Sequence, residues 1–120
     1  MAVDIRWKPE PRDSNYPAAV SYLSLLFGKA GEIAERLRKA PMTDFKAKDI
    51  FRASGLSLLG VSNSHVKKDL QKIKEGQELS PILLVRHEGQ HLVIADGYHR
   101  MCAVYSLDED AVIPCKIVDA

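Results

Sequence analysis

A tight polar turn separates two apolar segments near the carboxyl end of the sequence. A short strand pattern covers residues 92–94, a helical pattern begins at residue 101, and between them stand Asp96, Gly97, Tyr98, His99 and Arg100. Glycine allows the positive φ angle or the close backbone approach that such a turn needs, and the first amides of a following helix carry partial positive charge. The pattern therefore predicts an anion site, to which Arg100 adds a forked charge and His99 a titratable donor.

The same turn also fits a purely structural interpretation. Arg100 would then form a salt bridge with Asp96, and His99 would be exposed to solvent. A five-residue motif alone does not decide between a ligand site and an ordinary strand-to-helix turn.

Composition and charge limit the classes of protein to which this chain can belong. The chain has 120 residues, 46% of them hydrophobic, which is typical of one domain with a buried core. Its 17 basic and 16 acidic residues give a net charge of +1, too small a field to indicate duplex DNA or an anionic membrane as the main partner. The amino terminus lacks the apolar stretch of a secretory signal, so we expect a cytoplasmic protein.

The first third of the chain predicts an arm followed by helices. Residues 1–15 are rich in proline and polar residues around a lone Trp7, which indicates an extended arm that lies on the body of the domain. Helical spacing begins at Pro17, weakens at Gly28 and Gly31, and resumes over residues 32–39. We assign residues 1–43 to an amino-terminal arm and helical extension, and residues 44–120 to a single compact unit.

The remaining pattern predicts an α+β domain with a small mixed sheet packed against helices. Helices are expected over residues 43–54, 65–74 and 98–107, a hairpin over 82–85 and 91–95, and a last strand over 113–118. Pro114 in that strand suits an edge or a strand start. On the helix 65–74, Lys68 and Lys72 share one face, which is either a solvated surface or part of a binding site.

Several landmarks in this order resemble the ParB amino-terminal and sulfiredoxin-like superfamily. They are a capped helix, Gly76, the segment Leu-Ser-Pro-Ile-Leu-Leu-Val at 79–85, the turn at 96–100 with Ala103 behind it, and the segment Ile-Pro-Cys-Lys-Ile-Val at 113–118. The resemblance implies a ParB/sulfiredoxin-like fold for residues 44–120. It also implies that the turn holds the phosphates of a bound nucleotide.

Departures from the family limit what can be transferred. Sulfiredoxins place a nucleophilic cysteine before the His-Arg pair, where this chain has Tyr98, so we do not expect sulfiredoxin activity. Partition proteins bind DNA through a helix-turn-helix domain that follows this one, and we do not expect direct DNA binding by this chain alone. No compact acidic cluster in the sequence supports a two-metal nuclease.

Free-serine kinases of similar fold have a turn that also begins Asp-Gly and ends His-Arg or Thr-Arg. This resemblance implies that Asp96 and His99 are the catalytic residues. Asp96 would be a Mg²⁺ ligand or general base, with His99, Arg100 and the amides from Gly97 to His99 on the phosphates. Lys68, Lys72 and His65 would complete the pocket. The acidic catalytic residue that these kinases bring from elsewhere is left open among Asp69, Glu75 and Glu78.

The sequence thus predicts a small cytoplasmic protein that binds a phosphorylated ligand, a nucleoside triphosphate or diphosphate with Mg²⁺. If it is an enzyme, phosphoryl transfer or phosphate hydrolysis is the expected reaction. The alternative is a non-catalytic regulatory or interaction module related to chromosome-partitioning proteins. No membrane association is expected, and a homodimer is compatible with the sequence.

Overall fold

A computed structural model describes residues 4–120, in which five helices accompany a four-stranded mixed sheet. The elements in chain order are α1 (Asn15–Leu23), α2 (Ala30–Lys39), β1 (Thr43–Lys46), α3 (Ala47–Ser54), α4 (Ser64–Lys74), β2 (Ile82–Arg86), β3 (Val93–Asp96), α5 (Tyr98–Leu107) and β4 (Val112–Asp119). The α+β class expected from the sequence is confirmed. Within the described residues, no helix is long and apolar enough to cross a membrane.

The strands lie in the order β1-β4-β2-β3. β4 pairs antiparallel with β1 and parallel with β2, and β3 pairs antiparallel with β2. The parallel ladder places Ile82 opposite Cys115 and Val85 opposite Val118. The first four residues of β2 are buried, as expected for an inner strand with both faces covered, which explains its continuous apolar sequence.

Alternate residues of β2 enter two separate cores. Ile82 and Leu84 pack with buried residues of α3, α4 and α5 on one face of the sheet. Leu83 and Val85 pack on the other face with residues of α1 and α2, among them Leu37. The helical extension therefore packs on one face of the sheet against β2, β3 and β4, and α3, α4 and α5 pack on the opposite face.

The amino-terminal arm lies on the body of the domain, as the sequence predicts. Trp7 and Leu79 form an isolated parallel bridge. The Leu79 amide donates to the Arg6 carbonyl, and the Lys8 amide to the Leu79 carbonyl, each at 2.8 Å. Residues 1–3 of the predicted arm lie outside the described residues.

One prediction about local structure is wrong. Residues 43–46, expected to start a helix at Thr43, form β1 because they pair with β4, with Phe45 opposite Ile113. Long-range pairing here overrides the local capping pattern. Of the two positions expected for Pro114, an edge or a strand start, the structure shows the second. β4 is an inner strand, and Pro114 lies near its start, before Cys115, the first β4 residue paired with β2.

Candidate functional site

One face of α4 and the amino-terminal end of α5 line a cavity of about 220 Å³, called here the α4–α5 cavity. Its lining comes from α4 and from the turn between β3 and α5: His65, Lys68, Asp69, Lys72, Asp96, Gly97, His99 and Arg100. Every residue predicted for the site lies there except Tyr98. The fold thus brings together two sequence segments that are about 25 positions apart.

The four α4 residues of the cavity share one helix face. His65, Lys68, Asp69 and Lys72 follow the spacing i, i+3, i+4, i+7, whereas Val66 lies on the buried side of the helix. The side chain of Asn63 caps the helix, because its Oδ1 accepts from the His65 amide at 2.9 Å and the Val66 amide at 3.2 Å. The two lysines therefore line a cavity as well as a solvated face.

Gly97 shapes the turn from β3 into α5. Its φ of 109° is unfavourable for residues with a side chain, and a Cβ here would stand 2.7 Å from the Cγ1 of Ile82. As the N-cap residue it offers no side-chain hydrogen bond to the helix. The first amides of α5 are thus left without a side-chain cap beside the cavity.

Arg100 forms the salt bridge of the structural interpretation and still lines the cavity. Its Nη2 donates to Asp96 Oδ2 at 3.3 Å and to the Pro81 carbonyl at 3.2 Å, both long for such bonds. Its side chain is 16% exposed, and its buried Nε has no hydrogen-bond partner within residues 4–120. The guanidinium is therefore held in place without being saturated by the protein.

Of the three acidic residues that the sequence leaves open as the catalytic acid, Asp69 lines the cavity. It is only 9% exposed, whereas Glu75 and Glu78 are exposed and lie outside the cavity. Burial raises the pKa of the Asp69 carboxyl, although the charges of Arg100, Lys72, His99 and His65 act to lower it. Its position four residues after His65 is the signal in the sequence that could have placed it on this face.

His99 and His65 meet across the two helices, with ring centroids 4.7 Å apart. Burial lowers the pKa of His99, and the charge of His65 lowers it further, against the opposing effect of Asp69. His99 is therefore a neutral donor or acceptor at neutral pH rather than a fixed cation. The permanent positive charge of the cavity comes from Arg100 and the two lysines.

The side chain of Tyr98 does not line the cavity. Its hydroxyl donates to the Ser57 carbonyl, and burial raises the pKa of the phenol, with a smaller contribution from Cys102. Successive helix residues point about 100° apart, so Tyr98 faces the segment before α4 while His99 and Arg100 face the cavity. Only the main-chain amide of Tyr98 remains at the helix start.

The donor set for a metal ion is small. No group of three or more His, Cys, Asp and Glu side chains is placed to hold a metal among the residues that the structure describes. The cavity does hold two carboxylates, Asp96 and Asp69. Mg²⁺ commonly takes one or two carboxylates together with substrate phosphates, so these two side chains would hold it only with a ligand that supplies further oxygens.

A larger cavity, of about 470 Å³, lies between α3 and the turn that joins β2 to β3. Its floor is apolar, and two of the charged residues at its rim are paired, Asp49 with Arg52 and Arg86 with Asp119. Within the described residues its lining has one arginine and no lysine, so it lacks the group of cations that lines the α4–α5 cavity. We therefore take the smaller α4–α5 cavity as the candidate site.

Comparison of the chain with protein-family models, with curated proteins and with solved structures gave no match. What the cavity does must therefore follow from its own side chains.

Proposed function

We propose that this chain is a ParB/sulfiredoxin-like domain protein that binds a phosphorylated ligand, a nucleoside di- or triphosphate, in the α4–α5 cavity. The observation that carries the proposal is the meeting of Arg100, Lys68 and Lys72 with the uncapped start of α5 in one cavity. Helix amides and a partly free guanidinium are the groups that bind phosphate in proteins. The order of the family landmarks in the sequence supports the same proposal.

The cavity is large enough for the phosphates of a nucleotide but too small for the whole molecule. At about 220 Å³ it is smaller than typical sites for whole small molecules, which reach about 300–1,000 Å³. A groove of about 460 Å³ on the neighbouring surface of α4 shares Lys68 and Lys72 with it. A nucleotide would place its phosphates in the cavity and its sugar and base along this groove.

Phosphoryl transfer is the reaction that such a site supports. A Mg²⁺ ion bound with the nucleotide would neutralise phosphate charge, and Asp96 would be its ligand or act as a base. Arg100 and the amides of α5 would stabilise the negative charge of the transferred group. Lys68 and Lys72 would hold the phosphate chain from the opposite wall.

Thermal unfolding in the presence of nucleotides tests the proposal. ATP, ADP, CTP and GTP are added with and without Mg²⁺, and a ligand at ~100 times its dissociation constant should stabilise the fold by about 2.7 kcal/mol. Arg100→Ala should abolish the shift, Arg100→Lys should retain part of it, and Arg52→Ala on the exposed end of α3 should leave it unchanged. The absence of a shift with all four nucleotides, or an undiminished shift in Arg100→Ala, would contradict nucleotide binding.

The second candidate function is a regulatory or interaction module that works through the helical extension. Apolar side chains at the end of α1 are exposed, with Leu25 81% and Leu26 48% accessible. Isolated exposed leucines are ordinary, but a group of them is typical of contact surfaces. If the chain self-associates through this surface, Leu25→Ser should convert a dimer to a monomer in sedimentation, with no effect on nucleotide shifts.

A further inference from the structure

The carboxylate of Glu75 is held in one orientation by two glutamine side chains. Gln71 Nε2 donates to its Oε2 and Gln77 Nε2 donates to its Oε1, each at 2.9 Å. A carboxylate has about four lone-pair sites, so each of its oxygens can accept a second hydrogen bond. The two oxygens of Glu75 are therefore fixed side by side, and each can accept from one further donor.

These three side chains line the groove of about 460 Å³ that adjoins the α4–α5 cavity, called here the α4 groove. Lys68 and Lys72 line both the groove and the cavity, whereas Glu75 and Gln77 line the groove outside the cavity. Glu75 comes three residues after Lys72, about one helical turn farther along α4. With the phosphates of a nucleotide in the cavity, the part that reaches Glu75 is the base.

The two oxygens of a carboxylate match a base that has two adjacent hydrogen-bond donors. Guanine presents N1–H and the N2 amino group side by side on its Watson–Crick edge. Adenine and cytosine present one amino group beside a ring nitrogen that accepts, and the lone pair of this nitrogen would face the second oxygen. Uracil presents one N–H between two carbonyl oxygens. Of these four bases, guanine alone places a donor opposite each oxygen of Glu75.

On this basis we propose that the nucleotide site is selective for guanine and that Glu75 recognises the base. The inference rests on the proposed nucleotide site and names the class of nucleotide that it takes. Lys67 also lines the α4 groove, and a lysine is a suitable donor to O6 or N7 of guanine. Gln71 and Gln77 are positioning residues, because they act on the base through the carboxylate that they hold.

GTP and inosine triphosphate are the matched pair of ligands for the test. Inosine triphosphate keeps the phosphates, the sugar, N1–H and O6 of GTP, and it lacks only the N2 amino group. Titration calorimetry with Mg²⁺ gives the dissociation constant of each. We expect GTP to bind about 10-fold more tightly, because inosine triphosphate loses one hydrogen bond to a charged group. The preference over ATP and CTP should be at least as large, since their bases also turn an acceptor toward Glu75.

Glu75→Gln tests the residue itself, because an amide of the same shape keeps only one acceptor oxygen. The preference for GTP over inosine triphosphate should disappear in this variant, while binding through the phosphates remains. Gln77→Ala leaves the carboxylate but removes one of the groups that orient it, so it should reduce the preference in part. Glu78→Gln alters an exposed carboxylate outside the groove and is the matched control, which should keep the wild-type preference.

Three results would overturn the inference. Equal affinities for GTP, inosine triphosphate, ATP and CTP, all lost in Arg100→Ala, would leave the phosphate site intact and remove the selectivity for guanine. An undiminished preference for GTP in Glu75→Gln would show that another group recognises the base. If no nucleotide binds to the wild-type protein, the proposed function and this inference fall together.

Discussion

The imidazole rings of His65 and His99 lie 4.7 Å apart, centroid to centroid, at an interplanar angle of 41°. This contact joins the start of α4 to the start of α5, the two elements that form the α4–α5 cavity. The charge of His65 acts to lower the pKa of His99. The contact therefore makes the pKa of an α5 residue depend on a residue of α4.

The pKa of His99 should lie below the ordinary value of 6.5. Burial is the main cause and the neighbouring His65 the second, so His65→Gln should raise this pKa, and Asp69→Asn, which removes the opposing carboxylate, should lower it further. NMR titration of the histidine ring protons measures the pKa of His99 in the wild-type protein and in the two variants. A pKa of His99 at or above 6.5 in the wild-type protein would contradict the burial of this ring.

The same shift affects stability in a defined direction. Because the pKa of His99 is lower when folded than when unfolded, the unfolded chain binds more protons between the two values. The contribution of neutral His99 to folding is therefore present above 6.5 and is lost as the pH falls through the folded pKa. His99→Gln should show a weaker loss of stability over this window in urea unfolding.

Asp69→Asn should increase the free energy of unfolding at pH 7. Burial raises the folded pKa of Asp69 above its ordinary value of 3.8, so folding disfavours the charged form, and the variant removes that charge. The gain should shrink as the pH falls through the folded pKa, where wild-type Asp69 becomes neutral. Urea unfolding at several pH values measures this gain in stability, with Glu78→Gln as the control. If Asp69→Asn is less stable than the wild-type protein at pH 7, the charged carboxylate stabilises the fold.

Gly97→Ala should destabilise the fold by about 1–3 kcal/mol, the usual cost of a strained backbone position. The alanine would have to adopt a φ of 109°. Its Cβ would lie 2.7 Å from Ile82 Cγ1 and 3.0 Å from Arg100 Nη2. Gly60→Ala is the control, since a Cβ there meets nothing within 4 Å and should change stability by less than about 0.5 kcal/mol. Equal effects of the two changes in urea unfolding would show that the turn relaxes around the new methyl group.

The parts of the fold with strong local signals were predictable from the sequence. The helix expected over residues 98–107 has the same bounds as α5, because a glycine turn starts it and regular apolar spacing continues it. The cap of α4 is Asn63, within the polar run that predicts it. β1 was missed because its four residues form a strand only through pairing with β4, nearly 70 positions away.

The candidate site was predictable to the extent that it depends on one helix face and one turn. Lys68, Lys72 and the residues of the turn follow from spacing and from the resemblance. The burial of Asp69 depends on how α5 packs against α4, and the direction of Tyr98 depends on the segment at Ser57 that accepts its hydrogen bond. Neither is encoded in local periodicity, because both arise from tertiary contacts.

Lys116 should prove a buried polar link between the helical extension and the sheet. This β4 residue is 3% exposed, and its Nζ donates to the Arg38 carbonyl at the end of α2 at 2.7 Å. It also lies 3.6 Å from the exposed carboxylate of Glu10. Lys116→Ala should lower the free energy of unfolding by about 2–4 kcal/mol, because it opens a cavity and leaves the Arg38 carbonyl without its donor.

The matched change Glu10→Gln removes only the exposed partner of the same ammonium group. It should cost less than about 1 kcal/mol, since solvent screens an ion pair with an exposed carboxylate. Urea unfolding of both variants decides between the two contacts of Lys116. If Glu10→Gln were as destabilising as Lys116→Ala, the ion pair with the arm, rather than the hydrogen bond to α2, would hold the extension on the sheet.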